Sequence, residues 1–188
     1  MPPRLPLPAE YFLLAHDGYT GRPHIGAAVL GLGVAGALLA ELAFTGDVRL
    51  DGDVASDVER LAPEAYTMIG DSLVGSGVVH RPPVGRLERL ARARPRYVAA
   101  DALAAAAPRI LLRHAAEAAG PEADERTKTL AALAVITGLE PVVADAANRA
   151  ALGRLRAMAA AVTGDARTVA EAVAAAAARI ALTPRRGT

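Results

Sequence analysis

The sequence predicts a mainly α-helical protein: a single-domain helical bundle around a buried central helix, with a small β-hairpin. Two features of composition and one of patterning support this fold class. The chain is 53% hydrophobic but only 3% aromatic, so its core must consist largely of aliphatic side chains on closely packed helices. Its 188 residues suit one domain with a sizeable core, residues 1–188. The segment from Ile25 to Leu50 is the longest apolar stretch, and helical patterns dominate after Tyr97.

The apolar segment from Ile25 to Leu50 has three possible structures. A membrane span is disfavoured, because the uncharged run ends at Glu41, short of the about 20 residues that a span needs. Alanine and glycine also fill most of the run, and they contribute little to membrane insertion. We favour a buried central helix that ends at Phe44 or Thr45, is capped by Gly46 and precedes a short strand, 47–50.

The third structure is a dinucleotide-binding turn, because Gly31, Gly33 and Gly36 form a GxGxxG pattern. Asp51 and Asp53 follow where an acid that binds ribose could lie. Such a fold needs further alternation of strands and helices, which the rest of the chain does not show. On a central helix the same glycines would allow neighbouring helices to approach closely. We predict no cofactor.

Before and after the central helix, the sequence predicts short helices. A proline-rich lead-in precedes a helix from Ala9 to Ala15, and residues 1–8 and 183–188 are predicted to be flexible. After the central helix, a helical piece from Val54 to Leu61 breaks before Pro63, and a second helix runs from Glu64 to Ser76.

The hairpin is predicted from two strands, Val78–Arg81 and Arg86–Ala91, joined by a turn at residues 82–85. Arginines are concentrated here, since six lie between positions 80 and 97 against one acid, Glu88. They could bind anionic headgroups, or they could protect the edge of a solvated hairpin. The candidate anion-binding residues are Arg81, Arg86 and Arg89 of the hairpin, with Arg22 and His24 before the central helix.

Four helices are predicted in the C-terminal half, each of which begins at an aspartate. The first is expected to kink at Pro108, and the aspartates at 124, 145 and 165 are expected to cap their helices rather than to catalyse a reaction. The predicted helices are Asp101–Ala119, Asp124–Thr137, Asp145–Val162 and Asp165–Leu182.

Nothing in the sequence favours an enzyme. Residues 70–73 spell GDSL, a serine esterase motif, but no histidine follows His114 to serve as the base for Ser72. The four histidines, at positions 16, 24, 80 and 114, show no spacing typical of metal ligands. We predict no catalytic residue and no metal site.

Charge and composition limit the remaining function classes. A net charge of +1 and the absence of an arginine-rich recognition helix argue against nucleic-acid binding. The absence of cysteine excludes disulfides and thiolate chemistry. Lys128 is the one lysine, and the usage of Ala, Gly, Pro and Arg is typical of a GC-rich bacterial genome. We expect a cytoplasmic protein, either soluble or peripheral to a membrane.

Several short motifs stand in a characteristic order along the chain. They are LPLPAEYFLL at 5–14, TGRP at 20–23, AGALLAELA at 35–43, GDV at 46–48, SLVGSGVV at 72–79, DERT at 124–127, LAALA at 130–134 and AEAV at 170–173. In this order the motifs resemble the Golgi phosphoprotein 3 family in its bacterial form, and the resemblance extends nearly from end to end.

This resemblance implies a mostly helical, non-enzymatic protein that binds anionic lipid headgroups at a membrane surface. Eukaryotic members are similar in binding phosphatidylinositol 4-phosphate through an exposed tryptophan and several arginines. The corresponding positions here are Gly26, Ala35, Pro63 and Tyr66, and none has the required side chain. The alternative is a soluble interaction protein on the same fold, with a protein partner or a homo-oligomeric contact at the hairpin.

Overall fold

A computed structural model describes residues 4–83, 95–117 and 123–182 of the chain. It is mainly α-helical with a small two-stranded antiparallel sheet, which confirms the predicted fold class. In chain order the elements are α1 (Leu7–Leu14), α2 (Ala27–Thr45), α3 (Val54–Gly75), β1 (Val79–His80), β2 (Val98–Ala99), α4 (Ala102–Glu117), α5 (Glu125–Thr137), α6 (Glu140–Val143), α7 (Arg149–Ala160) and α8 (Gly164–Leu182).

Helix α2 is the central helix, as predicted. It packs against α1, α3, α5 and α8, and residues 30–37 are all buried. Gly46 ends it in the left-handed conformation, at φ 76°, and donates its N–H to the carbonyl of Ala43. Within the described residues α2 alone is long and apolar enough to cross a membrane, a property that it shares with buried core helices. Its burial between four helices indicates a core helix.

The three glycines of the GxGxxG pattern all lie inside α2, so the dinucleotide-binding turn is excluded. Each is a point of close contact. A methyl group at Gly31 would meet the carbonyl oxygen of Ala62 at 2.7 Å, one at Gly33 would overlap the ring of Tyr11, and one at Gly36 would overlap Val173. The glycines therefore serve helix packing rather than phosphate binding.

Helix α3 corrects the prediction of two helices separated near Pro63. It is continuous from Val54 to Gly75, and Asp53 caps it by accepting a hydrogen bond from the Ser56 N–H at 3.2 Å. Pro63 lies on the exposed face, so the backbone carbonyl that loses a partner can be hydrated. Buried residues on both sides of it, such as Val58 and Ile69, belong to one core. Tertiary packing therefore outweighs the local effect of the proline.

Two other local predictions at the N-terminal end were wrong. Residues 47–50, predicted as a strand, have no strand partner among the described residues. Leu7 and Pro8, which were predicted to be flexible, are buried in the first turn of α1. The predictions for residues 1–3 and 183–188 lie outside the described residues.

The sheet has a different second strand from the predicted hairpin. Val79 pairs with Ala99 and His80 pairs with Val98 in antiparallel register. The predicted strand at 86–91, with part of its turn, lies outside the described residues. Alternation and turn signals located the first strand but gave no indication that residues 98–99 would be its partner.

In the C-terminal half, the helices agree broadly with the prediction and two of the caps do not. Asp124 caps α5 by accepting from the Thr127 N–H at 2.7 Å, as predicted. Asp145 does not cap α7, because Asn148 holds that position, and Asp165 lies inside the first turn of α8. The short helix α6 was not predicted. Helix α4 continues through Pro108 to Glu117.

Candidate functional site

The loop between α1 and α2, residues 17–24, carries two of the predicted site residues. Arg22 and His24 are both exposed there. The carboxylate of Asp17 accepts hydrogen bonds from the N–H and the hydroxyl of Thr20, both at 2.7 Å. These two bonds hold the pKa of Asp17 below its usual value. The Asp17 N–H also donates to the carbonyl of Arg22 at 2.9 Å, so the loop is closed on itself.

A second segment, residues 96–99, anchors the loop from outside. The Ala99 N–H donates to the carbonyl of Gly18 at 3.0 Å, and the Arg96 guanidinium donates to the carbonyl of Thr20 at 2.9 Å. Gly21, at φ 65°, lies so close to the Tyr97 carbonyl that any side chain would overlap it. The loop is therefore held in place from two sides, although Tyr19 at its tip is 92% exposed.

Below the loop, four rings form a buried cluster of Phe12, His16, Tyr66 and Tyr97. Phe12 and His16 stack with centroids 4.3 Å apart, and Tyr97 meets Phe12 edge to face. His16 Nδ1 lies 2.6 Å from the Phe12 carbonyl oxygen, which can only accept, so the proton belongs on Nδ1. Burial lowers the pKa of His16 to about 4, because the imidazolium would lose its hydration. His16 is thus a neutral core residue at pH 7.

Arg81, a predicted anion-binding residue, already has partners. Its guanidinium forms an ion pair with Asp71 and donates to the Tyr97 hydroxyl at 3.0 Å. It also lies 5.2 Å from the centroid of the Tyr97 ring. An anionic ligand would have to compete with Asp71 for it. Arg86 and Arg89, the other two hairpin residues of the prediction, lie outside the described residues.

A cavity of about 610 Å³ lies between the 17–24 loop, the end of α1, β2 and α4. We call it the α4 cavity. Its wall on α4 consists of Ala102, Ala105, Ala106 and Arg109, which follow one another at helical spacing along one face. The other lining residues are Leu13, Leu14, His16, Asp17, Gly18, Tyr19, His24, Val98, Ala99 and Val142.

Sequence reasoning included His24 of this cavity and counted Arg96 among the hairpin arginines, but it missed Tyr19 and Arg109. The alanine stripe on α4 was visible in the sequence, yet alanine at helical spacing ordinarily indicates close packing. Only the position of the loop shows that this stripe faces open space. Arg109 has no hydrogen bond or ion pair to any described residue.

The four positions that the family resemblance assigns to a headgroup site are split between surface and core. Gly26 and Pro63 are exposed, whereas Ala35 is fully buried and Tyr66 is 4% exposed in the ring cluster. A headgroup could not reach the buried pair without displacing core side chains. The geometry therefore gives no phosphoinositide site at these positions.

An ion-pair network elsewhere in the described residues holds the N-terminal segment. Arg126 bonds to Glu41 at 2.6 Å and to the Leu5 carbonyl at 3.0 Å, and Glu41 accepts from the Leu7 N–H at 2.8 Å. Glu10 pairs with Arg4 at 2.8 Å, although burial raises the pKa of Glu10. Each charge binds a neighbour or the backbone of the chain, so we assign this network to stability.

The residues of the GDSL motif lie within α3, and two of them make structural contacts with other parts of the chain. Gly70 packs on the Tyr97 ring, and Asp71 binds both Tyr97 and Arg81. Among the described residues, no histidine side chain hydrogen-bonds to Ser72. Within the same residues, no group of three His, Asp or Glu side chains is placed to hold a metal ion.

The family model described as Golgi phosphoprotein 3 (GPP34) matches residues 7–59. The resemblance to the Golgi phosphoprotein 3 family is confirmed for this segment. The match covers α1, the 17–24 loop, α2 and the start of α3, which is well under half of the chain. No curated protein matches the chain. The loop with Tyr19, Arg22 and His24 therefore lies within the Golgi phosphoprotein 3 segment, whereas β2 and α4, which form the other wall of the cavity, lie outside it.

Proposed function

We propose that this protein binds anionic lipid surfaces peripherally and without enzymatic activity. The observation that carries the proposal is Tyr19, which is 92% exposed at the tip of a loop fixed on two sides. Tyrosine is favoured at membrane interfaces because its ring enters the apolar boundary while its hydroxyl stays hydrated. Arg22 and His24 lie in the same loop and can approach lipid phosphates.

Helix α4 extends this surface with exposed aliphatic side chains. Leu103 and Ile110, seven residues apart, are 73% and 53% exposed and lie on one face of the helix. Arg109 is adjacent in sequence and also exposed. Tyr19 and α4 line the same cavity, so the loop and the helix are neighbours. Aliphatic and aromatic side chains with arginines beside them are typical of a surface that rests on anionic lipid.

The electrostatic contribution to binding is modest. Each arginine near an anionic membrane contributes about 1 kcal/mol, so Arg22, Arg96 and Arg109 together supply weak, salt-sensitive attraction. Arg86 and Arg89 remain predicted contributors, and Arg81 contributes less because Asp71 partly neutralises it. We expect no preference for phosphatidylinositol 4-phosphate, since the four positions of the family's headgroup site lack basic side chains.

The test is co-sedimentation with three sets of vesicles, neutral, phosphatidylserine-containing and phosphatidylinositol 4-phosphate-containing, at low and physiological salt. We expect equal binding to both anionic sets, which declines with salt. Arg22→Glu reverses one charge and should weaken binding roughly tenfold or more. Tyr19→Ala should weaken it at both salt concentrations, because it removes an apolar contact rather than a charge.

The matched control is Arg149→Glu, since Arg149 is exposed on α7 and likewise has no ion pair within the described residues. It changes the net charge equally and should leave binding nearly unchanged. Equal losses in both variants would show that only net charge matters. Binding to the phosphatidylinositol 4-phosphate set alone would show a headgroup site at other residues. Binding to no set would favour the alternative function, a soluble protein-interaction domain.

A further inference from the structure

We propose that the α4 cavity binds one molecule of a single-chain anionic amphiphile, of the fatty-acid type, with its chain inside and its carboxylate at the mouth. The volume of about 610 Å³ is within the range of small-molecule sites, roughly 300–1,000 Å³. The inference deepens the proposed function, because it names a single-molecule ligand for the face that we assign to lipid.

Most of the side chains that line the cavity are apolar. Leu13 and Leu14 are buried at its floor, and Ala105, Ala106 and Val98 form half-buried side walls. The imidazole of His16 also faces this space, but it is neutral and already bonded to Phe12 and Tyr66. An alkyl chain would therefore bury apolar surface without leaving a polar group unsatisfied.

The mouth of the cavity is polar and carries the cationic guanidinium of Arg109 and the imidazole of His24. His24 and Arg109 are exposed, lie on opposite walls and have no side-chain hydrogen bond to any described residue. Asp17 is at the same mouth, and its carboxylate is occupied by Thr20. Because Asp17 supplies one negative charge, the mouth suits a ligand with a single negative charge better than a multiply charged phosphate.

The cavity is maintained by fixed walls rather than by a loose loop. The bond from the Ala99 N–H to the Gly18 carbonyl and the bond from Arg96 to Thr20 set the loop at its distance from α4. The His24 N–H donates to the Ala15 carbonyl at 2.9 Å, which fixes the other end of the loop. A preformed site loses little conformational entropy on binding.

The experiment measures binding of cis-parinaric acid, a fluorescent fatty acid, to the full chain in the absence of vesicles. Ala106→Leu fills the cavity and Arg109→Gln removes the cation at the mouth. Each should weaken binding roughly tenfold or more, because one loses apolar contact and the other a charge-assisted hydrogen bond. Ala107→Leu, on the exposed side of α4, and Arg149→Gln are the matched controls and should bind as the unaltered chain does.

Competition defines the headgroup. Dodecanoate should displace the probe, dodecyl phosphate should do so less well, and inorganic phosphate should not. Equal displacement by dodecanol would overturn the role of the anion, and displacement by inorganic phosphate alone would overturn the role of the chain. A preference for dodecyl phosphate would overturn the singly charged headgroup and indicate a phospholipid source.

The cavity and the membrane surface can be tested separately. Ala106→Leu should lose the probe and still co-sediment with anionic vesicles, since Ala106 is not on the exposed face. Retention of the probe by both Ala106→Leu and Arg109→Gln would overturn the cavity proposal and leave the proposed function intact. If Ala106→Leu loses helical circular dichroism, Ala106→Val and Arg109→Gln decide the question.

Discussion

Helices α2 and α4 both carry several small residues, but these residues have opposite consequences in the two helices. On α2, the space beside Gly31, Gly33 and Gly36 is occupied by atoms of α3, α1 and α8, respectively. On α4, Ala102, Ala105 and Ala106 border an open cavity of about 610 Å³. Small residues make space beside a helix, and the neighbouring element decides whether that space is filled.

This difference in packing arises because the small residues of the two helices face different neighbours. Helix α2 is surrounded by helices that project large side chains toward it, Tyr11 from α1 and Val173 from α8. Helix α4 faces a loop whose side chains near it are small or directed outward, such as Gly18 and Tyr19. Backbone hydrogen bonds to residues 96–99 hold this loop, so it cannot collapse onto the alanines.

The largest effect on stability is expected at the closely packed glycines of α2. Gly33→Ala would force a methyl group into the Tyr11 ring, whose hydroxyl donates to the Thr137 hydroxyl at 2.9 Å in the core. Overpacking and loss of that buried bond should lower the free energy of unfolding by about 3 kcal/mol or more. Urea denaturation measures the change.

The control for Gly33→Ala is Gly153→Ala in α7, where a methyl group would meet nothing within 4 Å. It should raise the free energy of unfolding by about 0.5–1 kcal/mol, because alanine has the higher helix propensity. Similar effects of the two substitutions would contradict the packing role of Gly33.

A second effect is expected at His16, which lies between the two regions: it stacks on Phe12 and lines the cavity. Its pKa is about 4 in the folded chain, below the usual 6.5, so the unfolded chain binds the proton more readily. Stability from this group is complete above pH 6.5 and is lost as pH falls toward 4. The loss should approach about 2 to 3 kcal/mol at pH 4.5.

The measurement compares urea denaturation of the unaltered chain and of His16→Gln at pH 7 and pH 4.5. The amide of Gln can still donate to the Phe12 carbonyl but does not titrate, so the variant should lose less stability on acidification. Groups common to both proteins, such as Glu10, cancel in the difference. His114→Gln, at an exposed position on α4, should keep the pH dependence of the unaltered chain. An unchanged pH dependence in His16→Gln would contradict the buried neutral state.

The smallest effect on stability is expected at the alanines of α4 that border the cavity. Ala106→Leu adds volume where space is available, so it should change the free energy of unfolding by less than about 1 kcal/mol. The test is to measure the thermal unfolding of Ala106→Leu and of Gly33→Ala under the same conditions and to compare their stabilities. A loss comparable to that of Gly33→Ala would mean that the loop closes over α4 in solution and that the cavity is absent.

The outcome of the sequence predictions follows the range of the interactions involved. The helical class, the central helix with its Gly46 cap and the Asp124 cap depend on residues within a few positions of one another, and they were predicted correctly. Continuity through Pro63 and the pairing of Val79 with Ala99 depend on distant segments; local rules gave the wrong result for Pro63 and did not predict the pairing. The predicted candidate site is divided for the same reason: Arg22 and His24 share a loop, whereas Arg81 is paired with Asp71.

By itself the sequence determined that this is a helical protein built on aliphatic side chains, with a central apolar helix and Golgi phosphoprotein 3 motifs at its start. These properties follow from composition, periodicity and local caps. Only the tertiary structure decided that neighbouring atoms occupy the space beside the glycines of α2, whereas the space beside the alanines of α4 stays open. The tertiary structure also decided that Tyr19 is exposed while Tyr66 is buried. The physical reason is that the packing and the burial of a residue depend on which side chains from distant parts of the chain pack against it, and a local sequence pattern does not specify those side chains.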